Sequence, residues 1–148
     1  MEDGRMQRMT EAQWQDFVLT GTRTGKLATT RKDGRPHVTP VWFLLDDAGR
    51  LLFTVDSASL KYRSLRRDPR FSLCVDDQEP PYSFVMLECV AAEFLDDLEL
   101  MRSWATRLGS RYMGAERADE YGRRNAVPGE YLVRARVERA VAFAGIAD

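Results

Sequence analysis

Residues 51–71, LLFTVDSASLKYRSLRRDPRF, decide how the chain folds. Leu51 to Val55 is apolar and β-prone, a strand. Ser57 and Ser59 are both good helix N-caps, and Ser59 directly precedes a helix-compatible run from Leu60 to Arg67. Asp68-Pro69 ends that helix, because the residue before a proline avoids the α region. A second strand begins at Arg70. This order sets a helix N-terminus at the end of a strand, where unpaired N–H groups and the positive end of the helix dipole attract anions. Lys61 and Arg63 add two cations to the first turn, a place the dipole alone disfavours. An anion would offset that mismatch, so the Thr54 to Ser59 turn with Lys61 and Arg63 is a candidate phosphate site. The plainer reading of the same residues is a solvated basic helix with a serine cap. Arg66, Arg67 and Arg70 read as surface residues that pair with Asp68 or other acids.

The chain around this stretch has 148 residues, enough for one domain with a sizeable core. Residues 1–9 read as a flexible tail and 10–148 as the domain. A net charge of -1 leaves no electrostatic footprint for nucleic acid. The N-terminus has no apolar signal core and no run is long enough to span a bilayer, so the sequence reads as cytoplasmic, with no membrane partner. The two cysteines, Cys74 and Cys89, lie in strand-like apolar runs and read as buried thiols. With His37 as the one histidine and no CxxC, no metal site is expected.

Upstream, Thr10-Glu11-Ala12-Gln13 is a capping box that opens a short amphipathic helix from Glu11 to Leu19, with Gly21 as its stop. Gly21 to Lys26 imitates a phosphate-binding P-loop, but it is one residue short and no strand precedes it. Lys26 to Thr30 and His37 to Leu45 are strands joined at Lys32-Asp33-Gly34-Arg35, a hairpin signal. The run from Val41 to Leu45 is apolar without alternation, so both its faces must be covered. That predicts a closed barrel on one side and a partner subunit or ligand on the other. Trp42 and Trp104 read as core or dimer-interface aromatics.

Downstream, Arg70 to Val75 and Ser83 to Leu95 are strands around a double-proline loop. Asp96 or Asp97 caps a helix whose stripe is Leu98, Met101, Trp104, Ala105, Leu108 and Tyr112. Ala115 to Asn125 reads as a short exposed helix, broken by Pro128-Gly129. A last long strand starts at Tyr131 and continues towards Phe143. Six antiparallel strands with inserted helices make a small, mainly β barrel.

Three segments carry a family resemblance: LATTRKDGRPHVTPVWF (27–43), FTVDSASLKYRSLRRDPR (53–70) and PPYSFVMLE (80–88). Together they resemble the split β-barrel flavin and deazaflavin oxidoreductases, the pyridoxamine 5′-phosphate oxidase-like proteins, over roughly Thr10 to Gly145. The most specific part is Lys61-x-Arg63-x-Leu65-Arg66-Arg67-Asp68-Pro69-Arg70. Pro80-Pro81-Tyr82 with Val85 to Glu88 looks most like the branch that uses coenzyme F420 rather than FMN. The resemblance implies a six-stranded FMN-binding-type split barrel and a homodimer with each cofactor in a groove at the subunit interface. It further implies that Lys61 and Arg63, with Ser57 and Ser59, hold the cofactor phosphate. Thr54 and Val55 would line the cofactor, and His37, Thr39 and Pro40 would sit against its ring or ribityl chain. Tyr82 and Phe84 would close the pocket from the other subunit. Two positions depart from the pattern: Ser59 stands where many relatives carry a basic residue, and Cys89 where a glycine is common.

The resulting expectation is an F420-dependent reductase that passes a hydride to an unsaturated small molecule, with the cofactor supplying the chemistry. No side chain is assigned a catalytic role. A lone histidine such as His37 is more often a hydrogen-bonded wall residue than an acid. The alternatives are an FMN-dependent oxidoreductase on the same fold, a non-catalytic flavin or haem carrier, and a structural dimer with a vestigial site.

Overall fold

The computed structural model describes residues 6–147. In chain order the elements are β1 (Gln7–Arg8), α1 (Glu11–Leu19), β2 (Gly25–Thr30), β3 (Pro36–Val41), β4 (Leu44–Leu45) and β5 (Leu51–Asp56). Then come α2 (Leu60–Arg67), β6 (Arg70–Asp77), β7 (Ser83–Leu95), α3 (Leu98–Met113), one 3₁₀ turn (Ala115–Arg117), α4 (Ala118–Asn125) and β8 (Glu130–Ala144). The expected capping box of α1 is present, with Thr10 N–H donating to Gln13 Oε1 at 2.8 Å and Gln13 N–H donating to Thr10 Oγ1 at 3.2 Å. Ser59 and Asp97 cap α2 and α3.

All the strands belong to one antiparallel sheet in the order β3-β2-β6-β7-β8-β5-β4, with β1 added to β8. The end strands β3 and β4 are separated in the chain only by Trp42 and Phe43, so the sheet must curl until its two ends approach. Strand alternation then sorts side chains between an inside and an outside. Leu27, Phe53, Val55, Leu73, Val75, Val85, Leu87 and Val133 fill the inside. A smaller cluster lies outside, where Leu52 and Leu132 pack against Met101 and Trp104 of α3.

The mainly β split barrel with inserted helices is as expected, but the sheet has eight strands rather than six. The extra two, β1 and β4, are only two residues long and too short to leave a periodic signal. Of the expected tail, residues 1–5 lie outside the described residues. Gln7 and Arg8 pair with Ala144 and Phe143, so order begins before Thr10. The strand expected from His37 to Leu45 divides, because β3 and β4 sit at opposite ends of the sheet. The outer side of that run makes contacts within the chain: Trp42 stacks on Tyr112 at 5.1 Å and meets Tyr121 edge-on at 5.4 Å, and Leu44 packs into the α3 cluster.

Residues 115–125 are not simply exposed, since α4 buries Ala118, Tyr121 and Gly122 against α3. Gly109 makes that contact close: a Cβ there would lie 2.7 Å from Tyr121 Cβ. Gly109→Ala is therefore expected to destabilise the fold. Overpacking costs roughly 1–3 kcal/mol, against about 1 kcal/mol gained in helix propensity. A thermal midpoint at or above that of the parent protein contradicts this packing.

Candidate functional site: a window in the barrel wall

The two ends of the sheet do not seal along their whole length. β3 has a strand on one side only. β4 covers β5 only at Leu51 and Leu52, so Phe53 to Asp56 also have a free edge. The Trp42-Phe43 crossover joins the two edges at one end. At the other end α2 leaves β5 and reaches β2, where the Arg67 guanidinium donates to the Thr30 carbonyl. These two unpaired edges, bounded by the crossover and by α2, define a window in the hydrogen-bonded wall of the sheet.

His37 and Thr39 stand on the inner face of β3, directly opposite Thr29 and Leu27 of β2. His37 Nδ1, Thr39 Oγ1 and Thr29 Oγ1 are sealed from solvent with no hydrogen-bond partner, as is Ser64 Oγ on α2. An unpaired buried polar group costs about 1–3 kcal/mol, so this concentration calls for satisfaction by one another, by internal water or by a bound polar species. Pro40 turns to the outer face beside Lys26. On the other edge, Val55 sends its side chain into the core, leaving its backbone at the window, while Thr54 shares the outer face with Leu132.

Below the window, the Ser59 hydroxyl is already committed: it donates to the Asp56 carbonyl at 2.7 Å and accepts from Tyr62 N–H at 3.2 Å. Ser57 N–H donates to the Gly129 carbonyl at 2.8 Å, which fixes the turn. Lys61 and Arg63 are two positions apart on α2, about 200° of helical turn, and they serve different surroundings. Arg63 lines a cleft of ≈ 540 Å³ with Leu60 and Arg67 of α2 and with Arg31, Lys32 and Asp33 of the β2–β3 turn. That cleft holds four cations against one carboxylate, with Arg31 and Asp33 paired at 3.2 Å. Lys61 faces an acidic neighbourhood instead. Burial, and then Asp56, raise the Glu130 carboxyl, and the Lys61 charge opposes them. The two cations expected to share one anion thus stand in different surroundings, Arg63 in the more cationic one.

Arg66 and Arg67 form no ion pair among the described residues. Arg66 covers the Phe94 ring at 4.9 Å, and only Arg70 holds Asp68, at 2.9 Å, bringing that carboxyl down to about 2. Tyr82 and Phe84 are not brought to the window within one chain. Phe84 lies on the outer face against Phe143 at 6.0 Å. Tyr82 is exposed with φ 61, a left-handed conformation uncommon for a bulky residue. The C-terminal segment holds it there, Ile146 N–H donating to the Tyr82 carbonyl at 2.9 Å.

Arg31, Lys32 and Thr29 were missed from sequence. Arg31-Lys32 looks like an ordinary polar hairpin turn until α2 is brought alongside it, and an orphaned hydroxyl has no sequence signal. Of the thiols, Cys89 is buried and pushed up to about 12 by burial, then by Glu138 and Glu88. Cys74 is only half-buried, on the outer face, and is also raised by burial. Both are expected to react slowly with a disulfide reagent in the native protein and quickly in denaturant. A fast native phase at either thiol contradicts these surroundings.

The pattern of the pyridoxamine 5′-phosphate oxidase family, a group of flavin-binding oxidoreductases, matches residues 10–142. A conserved hypothetical protein from Mycobacterium tuberculosis is 30% identical, with a TM-score of 0.79 over 93% of this chain and 86% of that one. An F420 reductase is 25% identical, with a TM-score of 0.66 over 84% of this chain and 94% of that one. The haem storage protein HutZ from Vibrio cholerae, at 21% identity, shares the fold, with a TM-score of 0.69 over 93% of this chain and 98% of that one. The match spans most of the chain, and the chain belongs to the pyridoxamine 5′-phosphate oxidase family.

Proposed function

We propose that the protein is a reductase that uses coenzyme F420 to reduce an unsaturated small molecule, and that it works as a homodimer. The observation that carries this reading is the cationic cleft on α2, beside the unpaired edges of β3 and β5. Those features fit a cofactor with a polar ring system and a phosphate. The 25% identity to an F420 reductase supports F420 over FMN.

Arg63, Arg67, Arg31 and Lys32 hold the phosphate end, and Lys61 adds charge from the other side of α2. Ser57 and Ser59 shape the turn that positions these cations. Thr39 and His37 offer hydrogen bonds to the polar edge of the ring or ribityl chain, and the backbone of Thr54 and Val55 lines the opposite side. When bound, the reduced deazaflavin supplies a hydride. The chain's own contribution is to align donor and acceptor and exclude water, which alone supplies much of the rate in such reactions.

The dimer reading rests on the outer face of the sheet. Pro40, Lys26, Cys74, Met86 and Val141 form one continuous row across five strands. It is largely apolar, and Val38 beside it is 61% exposed. A second copy covering this face would bring its own Tyr82 and Phe84 to the groove. Sedimentation at micromolar concentration is expected to give a dimer, and a monomer alone contradicts that model. The activity is tested by mixing protein and reduced F420 with quinones, tetrapyrroles, and unsaturated esters or lactones. Acceptor-dependent oxidation of the cofactor is expected. Tight binding with no oxidation by any acceptor would make the protein a carrier instead.

A further inference from the structure

We propose that Thr29 is a positioning residue for His37. Its hydroxyl donates a hydrogen bond to His37 Nδ1, directly or through one internal water, and so holds the imidazole with its proton on Nε2. Thr29 and His37 are direct cross-strand partners on the inner face of β2 and β3. Thr29 is only 3% exposed, and both Thr29 Oγ1 and His37 Nδ1 lack a partner while sealed from solvent. Cross-strand partners keep their Cβ atoms about 4.5–5.5 Å apart, a span that a side-chain rotation or one water closes.

A buried water needs two to four polar partners. Ser64 Oγ, also buried and unpartnered, lies on α2, the helix packed against β2, and offers a third. Sheet carbonyls are largely engaged by the ladder, and of the unpartnered acceptors Nδ1 belongs to the residue directly opposite Thr29 in register. An accepting Nδ1 leaves the proton on Nε2. His37 is half-buried, and of its two nitrogens only Nδ1 is sealed. The Nε2–H therefore becomes a fixed donor on the open side of the ring. That this side serves a bound cofactor or acceptor rests on the reductase reading, whereas the tautomer does not.

The test uses the protein without cofactor. His37 is the sole imidazole in the chain, so a long-range proton–nitrogen correlation spectrum of the ¹⁵N-labelled protein is unambiguous. It is recorded at about pH 8.5, well above the usual imidazole value of about 6.5. The expected result is a single Nε2-protonated tautomer in the parent and in Thr29→Ser, and a mixture of tautomers in Thr29→Val. An Nδ1-protonated ring in the parent protein overturns the proposal, and so does a Thr29→Val spectrum identical to it. If Thr29→Val fails to fold, Thr29→Ala replaces it and is read in the same way. Failure to reduce any acceptor would count against the reductase reading and leave this result standing.

Discussion

Replacing Arg63 with alanine is expected to weaken binding of coenzyme F420 by ten- to a hundredfold. A hydrogen bond to a charged group is worth about 1.5–3 kcal/mol, and Arg63 stands on the strongly cationic side of α2, among Arg31, Lys32 and Arg67. Lys61→Ala is expected to have the smaller effect, because the Lys61 charge already acts on the Glu130 carboxyl. Calorimetric titration of the two variants and the double variant tests the division directly. If both cations touch one phosphate, their effects are coupled rather than additive. An Arg63→Ala dissociation constant within about twofold of the parent's would remove the cleft from the site.

Arg111→Ala is expected to lower stability by about 3 kcal/mol, since each carbonyl left without a buried donor costs roughly 1–3 kcal/mol. The guanidinium projects from α3 without a carboxylate partner among the described residues. It donates to the carbonyls of Val18 at 2.6 Å, Phe43 at 2.7 Å and Gly21 at 3.0 Å. It also covers the Phe43 ring at 4.8 Å. The end of α1, the loop after it and the β3–β4 crossover meet at this one side chain. For a chain of this size the loss corresponds to roughly 6–12 °C in thermal midpoint. Arg111→Lys is expected to recover only part of it, because an ammonium cannot reproduce the planar fork. The crossover is the upper frame of the window, so Arg111→Ala is also expected to weaken cofactor binding. A midpoint change below about 2 °C contradicts this role.

What could be read in the sequence was local. The Thr10 capping box, the Ser59 cap, the Asp-Pro stop after α2 and the full extent of β7 followed from residues close together in the chain. The overall order of strands and helices, with the resemblance of residues 27–43, 53–70 and 80–88, was enough to give the barrel. What escaped depended on packing at a distance. Val41 to Leu45 showed correctly that two faces had to be covered. That α3 and α4 would cover one of them could not be seen, because Tyr112 and Tyr121 lie about seventy to eighty residues away from Trp42. The basic character of α2 was plain, but a linear spacing of two places Lys61 and Arg63 on different sides of the helix. Their partners, Glu130 in one direction and Arg31 with Lys32 in the other, come from opposite ends of the chain.

Titration of the purified cofactor-free protein with F420, FMN and haem, side by side, decides whether the chain has a cofactor site and for which cofactor. Micromolar binding of F420, with FMN and haem weaker, is expected. Tight FMN binding with weak F420 binding would contradict the choice of cofactor, and binding of none of the three would contradict the window as a cofactor site.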